Sequence, residues 1–226
     1  MKGKLVVLDG LDGSGKQTQT ALLEQHLRQE EYGVKKISFP DYAQPSSALV
    51  KMYLAGEFGE NPEEVSPYAA SSFYAVDRYA SYKKFWGRDY LAGKLILADR
   101  YSTSNAIYQM AKLPREQWGE YLDWMEDYEY RKMMLPKPDA VIYLDMPIEI
   151  SQGLMTSRYQ GDETKKDLHE SHLDYLRQCR ETALYTAQKQ NWHIVECSDG
   201  VFLKKIEEIS EEILKKVLEV ISFVKI

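Results

Sequence analysis

Residues 5–16 read LVVLDGLDGSGK, and no other stretch restricts the possible folds so tightly. Leu5, Val6, Val7 and Leu8 form a short apolar run suited to a strand covered on both faces. The residues that follow, Gly10 to Lys16, fit G-x-x-x-x-G-K, a loop whose backbone N–H groups and lysine cradle phosphates. A chain of this length meets the shortened pattern by accident roughly 5–7% of the time, so the pattern alone is weak. Its setting carries the weight. An apolar run leads in and a long helical pattern leads out, which aims amides and the positive helix end at an anion. Gly10, Asp12, Gly13, Ser14, Gly15, Lys16, Gln17 and Thr18 are therefore expected around the phosphates of a nucleotide such as ATP, with Lys16 neutralising the β and γ oxygens. Gln17 departs from the motif, which places a magnesium-binding Ser or Thr there; Thr18 lies a further ~100° around the helix.

Short apolar runs alternate with longer helical patterns along the rest of the chain, the signature of parallel strands joined by crossover helices. Strands are expected at 4–9, 34–39, 94–99, 140–145 and 192–196. Helices are expected at 16–32, 67–91, 168–190 and 203–224. In the first helix Ala21, Leu22, His26 and Leu27 are candidates for the inward stripe, with Gly33 as its stop. In the last helix Ile206, Ile209, Ile213 and Val217 recur at helical spacing. Residues 159–167, YQGDETKKD, lack apolar periodicity and read as a surface loop.

With 226 residues and 44% hydrophobic content the chain can bury a sizeable core, which rules out disorder and suits one domain over 1–226. Twenty-nine basic against 35 acidic residues leave a net charge of −6, so no nucleic-acid-wrapping surface is expected and any anionic ligand depends on a few placed cations. Apolar runs fall far short of the roughly 20 residues of a membrane helix, and the N-terminal run is too short for a signal peptide. No membrane association is expected, and a cytoplasmic location is. Cys179 and Cys197 read as reduced thiols, with pairing left open. His26, His172 and His193 have no ligand spacing with them, so no zinc site is expected.

A second chemical element sits at Asp99-Arg100-Tyr101, directly after the run 95–98. A carboxylate at a strand's C-terminal end is placed to hold Mg2+ directly or through water, and Arg100 can grip a second phosphate.

The phosphate loop, FPDY at 39–42, FYAVDR at 73–78, DRYSTSNAIY at 99–108 and PDAVIYLDMP at 138–147 together resemble, in order and spacing, the thymidylate kinase family of nucleoside monophosphate kinases. The resemblance implies an α/β, three-layer P-loop kinase fold: a five-stranded parallel sheet with helices on both faces and a short lid at about 157–170. It implies transfer of the γ-phosphate of ATP to thymidine monophosphate, with Mg2+, by a homodimer packed through long helices that include 67–91. No general base is required, because an acceptor phosphate with a second pKa of about 6 is already mostly a dianion at neutral pH.

By the same resemblance, Lys16 matches the loop lysine, Asp12 the loop acid near the acceptor, and Arg100 the arginine that bridges donor and acceptor phosphates. Arg78 resembles the arginine that reaches the base. Tyr74, with Phe73 as the nearby alternative, resembles the aromatic stacked on it. Asn105 resembles the side chain that reads the base edge, Tyr108 the ring that crowds the sugar 2′ position, and Ser104 an assisting hydroxyl. Phe39 and Tyr42 resemble residues flanking the acceptor. Asp41 stands where many relatives carry arginine, and Gly13 where some do. The second departure shifts the expected lid cations to Arg158, Lys165 and Lys166, with Arg158 counted among the catalytic groups. Two alternatives stay open from the sequence: a kinase for a different nucleotide or nucleoside, and a P-loop module that binds nucleotide without transfer.

Overall fold

The computed structural model describes residues 2–158, 169, 172–200 and 202–221, with only the backbone at 157 and 158. Five strands, β1 (Leu5–Gly10), β2 (Val34–Ser38), β3 (Leu95–Asp99), β4 (Ala140–Asp145) and β5 (His193–Glu196), form one all-parallel sheet in the order β2-β3-β1-β4-β5. Val7 of β1 stands opposite Ala98 on one side and Val141 on the other, so the phosphate-loop strand is central.

Both faces of that strand are apolar because both are covered. Leu5 and Val7 face a cluster with Ile96, Ala98, Val141 and Tyr143, closed by Trp86 and Tyr121 and by Cys179 and Ala183 of α7 (Leu173–Gln190). Val6 and Leu8 face the opposite cluster, where Leu23 and Leu27 of α1 (Lys16–Gln29) meet Ile209, Ile213 and Val217 of α8 (Ile206–Ile221). The result is the expected three-layer α/β fold.

Several boundaries differ from the sequence pattern. α1 stops before Gly33: the chain turns at Glu31, which has φ 62°, and Tyr32 N donates back to Leu27 O at 3.0 Å. Its buried stripe runs through Thr20, Leu23 and Leu27, whereas Ala21 is exposed and Leu22 half-buried, a rotation of one residue from the expected face. The long pattern at 67–91 divides into α3 (Pro67–Ser81), a π-helical turn Tyr82–Trp86, and a short helix, α4 (Gly87–Leu91). A wide turn here buries Trp86 completely. Three helices carried no strong signal: α2 (Ala48–Leu54), α5 (Trp118–Glu126) and α6 (Ile148–Arg158). Most of the expected loop and lid, including Lys165 and Lys166, lies outside the described residues, as does the side chain of Arg158. Cys179 and Cys197 are free and buried, and no described helix is long and apolar enough to cross a membrane.

Candidate active site

In an open parallel α/β sheet, ligands are met at the carboxyl ends of the strands, where helices begin and their free amides point outward. β1 ends in Asp9 and Gly10, and the loop turns into α1 through Gly13 (φ 79°) and Gly15 (φ 80°). Gly13 has a second constraint besides its backbone: a Cβ there would lie 2.6 Å from the carbonyl oxygen of Ser151 on α6. That contact explains why a long side chain is absent at this place. Gly13→Ala is expected to lower stability by ~1–3 kcal/mol, measured as a drop in thermal midpoint, because it combines a left-handed backbone with that clash.

β3 ends one strand away in Asp99, and the next residue, Arg100, adopts a left-handed backbone, φ 64°, with its N–H on Leu8 O at 2.9 Å. This conformation is costly for a non-glycine residue and persists where surrounding contacts enforce it. Here the side chain supplies them. Arg100 Nη2 donates to Asp12 Oδ1 at 2.6 Å and to the Tyr108 hydroxyl at 3.3 Å, and Nη1 reaches Asp9 Oδ1 at 3.5 Å and Ser104 Oγ at 3.4 Å. Lys16 Nζ donates to the same Asp12 Oδ1 at 3.2 Å and to Leu11 O at 3.1 Å. The loop lysine and the β3 arginine thus converge on one carboxylate oxygen. Burial alone would raise Asp12, but the two cations and the Tyr108 hydroxyl, which donates to Oδ2 at 2.8 Å, hold its carboxyl far below the usual range.

Asp9 was not singled out from sequence, yet it organises the floor of this cluster. Wholly buried, it accepts from Gly10 N at 2.9 Å, Thr103 Oγ1 at 2.6 Å and Ser104 Oγ at 2.8 Å as well as from Arg100. An acid closing an apolar strand immediately before a glycine loop was the available signal.

Asp99 behaves differently. Burial pushes its carboxyl above the ordinary carboxylate range, against the pull of Lys16 and Arg100, and no donor among the described residues hydrogen-bonds it. An acid with unspent lone pairs beside Lys16 and Arg100 fits a magnesium ion held through water. No cluster of three metal-ligating side chains occurs among the described residues, but Mg2+ takes most of its ligands from water and substrate phosphates, so one carboxylate suffices. Gln17 and Thr18 are both exposed on α1.

Beside Asp12 and Arg100 opens a cavity whose walls include Tyr42, Tyr74, Ser104, Asn105, Tyr108 and His169. Asn105 and Tyr108 stand on a π-helical turn, Asn105–Gln109. Side-chain hydroxyls donate to its carbonyls: Tyr121 to Asn105 O at 3.3 Å, Thr182 to Ile107 O at 2.6 Å, and Tyr175 to Tyr108 O. The cavity wall is thereby pinned to α5 and α7.

Of the two candidate aromatics on α3, Tyr74 lines the cavity, whereas Phe73 packs against Tyr53 and Phe58. Phe39 is buried against Tyr101 rather than on the cavity wall. Arg78 is not on that wall either. Its guanidinium is buried and turned to Glu129, with Nε on Oε2 at 3.0 Å, Nη2 on Oε1, and Nη1 on Tyr101 O at 3.4 Å. Glu129 belongs to no motif, which is why the pairing was not legible. Asp77, Arg78's neighbour in FYAVDR, ties down the FPDY segment by accepting from Asp41 N at 2.8 Å and Ser46 Oγ at 2.6 Å.

Two further residues stand on the wall: Gln109, which sequence reasoning missed, and His169, which falls where the family's lid carries an aromatic. Gln109, directly after Tyr108, is buried with an Oε1 that has no partner among the described residues. His169 stacks on Tyr108 at 5.2 Å and 16° and shares a 2.8 Å hydrogen bond with the Tyr53 hydroxyl, which also accepts from Lys112 Nζ at 2.9 Å. Burial, together with Lys112, pushes His169 down to about 3, so this ring is neutral at physiological pH.

Strand order, a glycine loop feeding a helix N-terminus, and two cations meeting beside a polar-walled cavity define the α/β P-loop kinases. A family model described as thymidylate kinase matches residues 8–213. The chain is 31% identical to a probable thymidylate kinase of Saccharolobus solfataricus over 213 residues, covering 94% of this chain and 95% of that one. It is also 31% identical to the thymidylate kinase of Mycobacterium tuberculosis over 161 residues, 70% of this chain and 73% of that one. The chain belongs to the thymidylate kinase family. A solved thymidylate kinase from Candida albicans, 23% identical and covering 99% of this chain and 94% of its own, shares the fold with a TM-score of 0.70.

Proposed function

We propose that this protein transfers the γ-phosphate of ATP to thymidine monophosphate, giving thymidine diphosphate. The observation that carries the reading is the meeting of Lys16 and Arg100 on Asp12 Oδ1 at the edge of a cavity walled by Tyr74 and Asn105. In phosphoryl transfer the protein's task is to hold two phosphates in line and neutralise charge that spreads over the transferring oxygens. Lys16 and the amides of residues 13–18 grip the donor side. Arg100 turns from Asp12 to the phosphates once they arrive, while Asp12 retains the Tyr108 hydroxyl. Tyr74 offers a ring for stacking, Tyr108 borders the sugar, and Asn105 and Gln109 face the base edge. Arg78 acts from behind the wall, through Glu129. Tyr42 and Ser104 border the acceptor phosphate.

Asp99 would hold Mg2+ through water, and the ion, when bound, supplies charge neutralisation on the β and γ oxygens. Arg158, Lys165 and Lys166 complete the donor side from a lid at about 157–170 of a single domain spanning 1–226. The exposed apolar face of α3, Val76 and Tyr79, continued by Phe85, suits a homodimer contact, and the protein works in the cytoplasm.

A coupled assay for diphosphate formation with thymidine, deoxyuridine, deoxycytidine and guanosine monophosphates, with and without Mg2+, tests this. Thymidine monophosphate is expected to give the highest kcat/KM, and withdrawal of Mg2+ to lower the rate at least a hundredfold, since it neutralises the charge that moves. Equal rates with all four acceptors, or none with thymidine monophosphate, would reject the assignment.

A further inference from the structure

Behind the base end of the cavity sits a polar network that no motif contains. Glu129, in the π-helical turn Asp127–Lys132, is fully buried. Besides the two bonds from Arg78, its Oε1 accepts from Asn105 Nδ2 at 3.1 Å, and the same Nδ2 donates to the backbone oxygen of Ser71 at 3.4 Å. A primary amide has two N–H donors and one carbonyl acceptor. Both donors of Asn105 are therefore spent on the protein, away from the ligand. The amide is also locked, because the reversed orientation would set its oxygen against a carboxylate and a carbonyl, neither of which has a hydrogen to give. Asn105 lines the cavity, and no donor among the described residues reaches Oδ1. That oxygen is what the side chain has left to offer.

We propose that Glu129 is a positioning residue that fixes the Asn105 amide with its carbonyl toward the acceptor's base, so that the cavity accepts a pyrimidine bearing N3–H and rejects one whose N3 is bare. This deepens the thymidylate reading and rests on it. Thymine and uracil present an N3–H between two carbonyls, a donor that matches Oδ1. Cytosine presents an unprotonated N3, which would face Oδ1 lone pair to lone pair. Arg78 completes the device by balancing, inside the core, the negative charge that orients the amide. A site built around one hydrogen-bond pattern rejects the mismatched partner strongly, because its own buried polar groups are then left unpaired.

Deoxyuridine and deoxycytidine monophosphates have nearly the same shape and differ only along the N3 and C4 edge, so the ratio of their kcat/KM values reads the orientation of the amide. The unaltered protein is expected to favour deoxyuridine monophosphate by at least a hundredfold. In Glu129→Gln the new amide can donate to Asn105 Oδ1, the asparagine can turn, and an N–H can face a bare N3. The ratio is expected to fall at least tenfold, chiefly through a lower KM for deoxycytidine monophosphate. A merely structural role for Glu129 would depress both acceptors together and leave the ratio alone. Because Glu129→Gln leaves Arg78 without its anion, Arg78→Met combined with Glu129→Gln serves as a second variant without buried charge, and the same collapse of the ratio is expected. An unchanged ratio in a folded variant overturns the proposal, as does an unaltered protein that uses the two acceptors equally well. Failure of the unaltered protein to phosphorylate either thymidine or deoxyuridine monophosphate would instead count against the thymidylate reading.

Discussion

Replacing Arg100 by alanine is expected to lower turnover of ATP and thymidine monophosphate by about 10^3–10^5-fold, the range lost when a phosphate-bridging arginine is removed from a phosphoryl transferase. The size follows from the geometry. Among the described residues that line the cavity, Arg100 is the one side chain carrying positive charge, since His169 is held neutral. Without it, Asp12 keeps only Lys16 as a balancing cation, and on the proposed mechanism Lys16 is engaged by the donor while the acceptor phosphate arrives. Binding and chemistry both suffer, so kcat should fall as well as kcat/KM. The left-handed backbone at residue 100 provides an internal control. Alanine keeps the strain while losing the contacts that enforce it, whereas glycine adopts the same conformation without strain. Arg100→Gly should therefore be as inactive as Arg100→Ala yet more stable by ~1 kcal/mol in denaturant titration. Turnover within tenfold of the unaltered protein for Arg100→Ala would remove this residue from the transfer step.

Much of this architecture was legible because its signals are local. A strand buried on both faces must be apolar at every position, so 5–8, 95–98 and 140–144 declare themselves without reference to anything distant. Gly13 and Gly15 are likewise explained by their own backbone angles. Helix boundaries were less visible. Glu31 ends α1 by adopting a conformation more usual for glycine, two residues before the glycine the pattern pointed to, and the π-helical turn at 82–86 is chosen by the burial of Trp86 rather than by local propensity. The site divides along the same line. Lys16, Arg100 and Asp12 lie in motifs and meet in space. Asp9 and Glu129 do not stand out, because what ties them into the site is a partner far away in the chain: Thr103 and Ser104 for Asp9, Arg78 and Asn105 for Glu129. A carboxylate buried by tertiary packing looks, in sequence, like any surface glutamate.

That buried carboxylate sets the second large effect, on stability rather than turnover. Arg78 and Glu129 are both sealed in the core, joined by two hydrogen bonds, and the guanidinium is raised further above its ordinary range by Glu129 in spite of burial. Removing one member of such a pair leaves the other desolvated and unbalanced, which typically costs 3–5 kcal/mol, whereas removing both together is often close to neutral. Arg78→Met is therefore expected to destabilise the protein by about 3–5 kcal/mol. For a chain of this size that corresponds to a thermal midpoint roughly 6–20 °C lower, at about 2–4 °C per kcal/mol. Arg78→Met combined with Glu129→Leu should recover most of that loss. Leucine fills the volume without charge, and Asn105 keeps Ser71 O as a partner for one of its donors. The comparison separates two accounts of Arg78. If it served only to touch the base, the single variant would keep its stability and lose affinity for the acceptor. If it holds Glu129, and through Glu129 the Asn105 amide, the single variant loses stability first, and the double variant regains the fold without regaining discrimination between deoxyuridine and deoxycytidine monophosphates. Denaturation midpoints of the single and double variants, read beside their acceptor ratios, decide between the two, and equal midpoints for Arg78→Met and the unaltered protein would sink the buried-pair account.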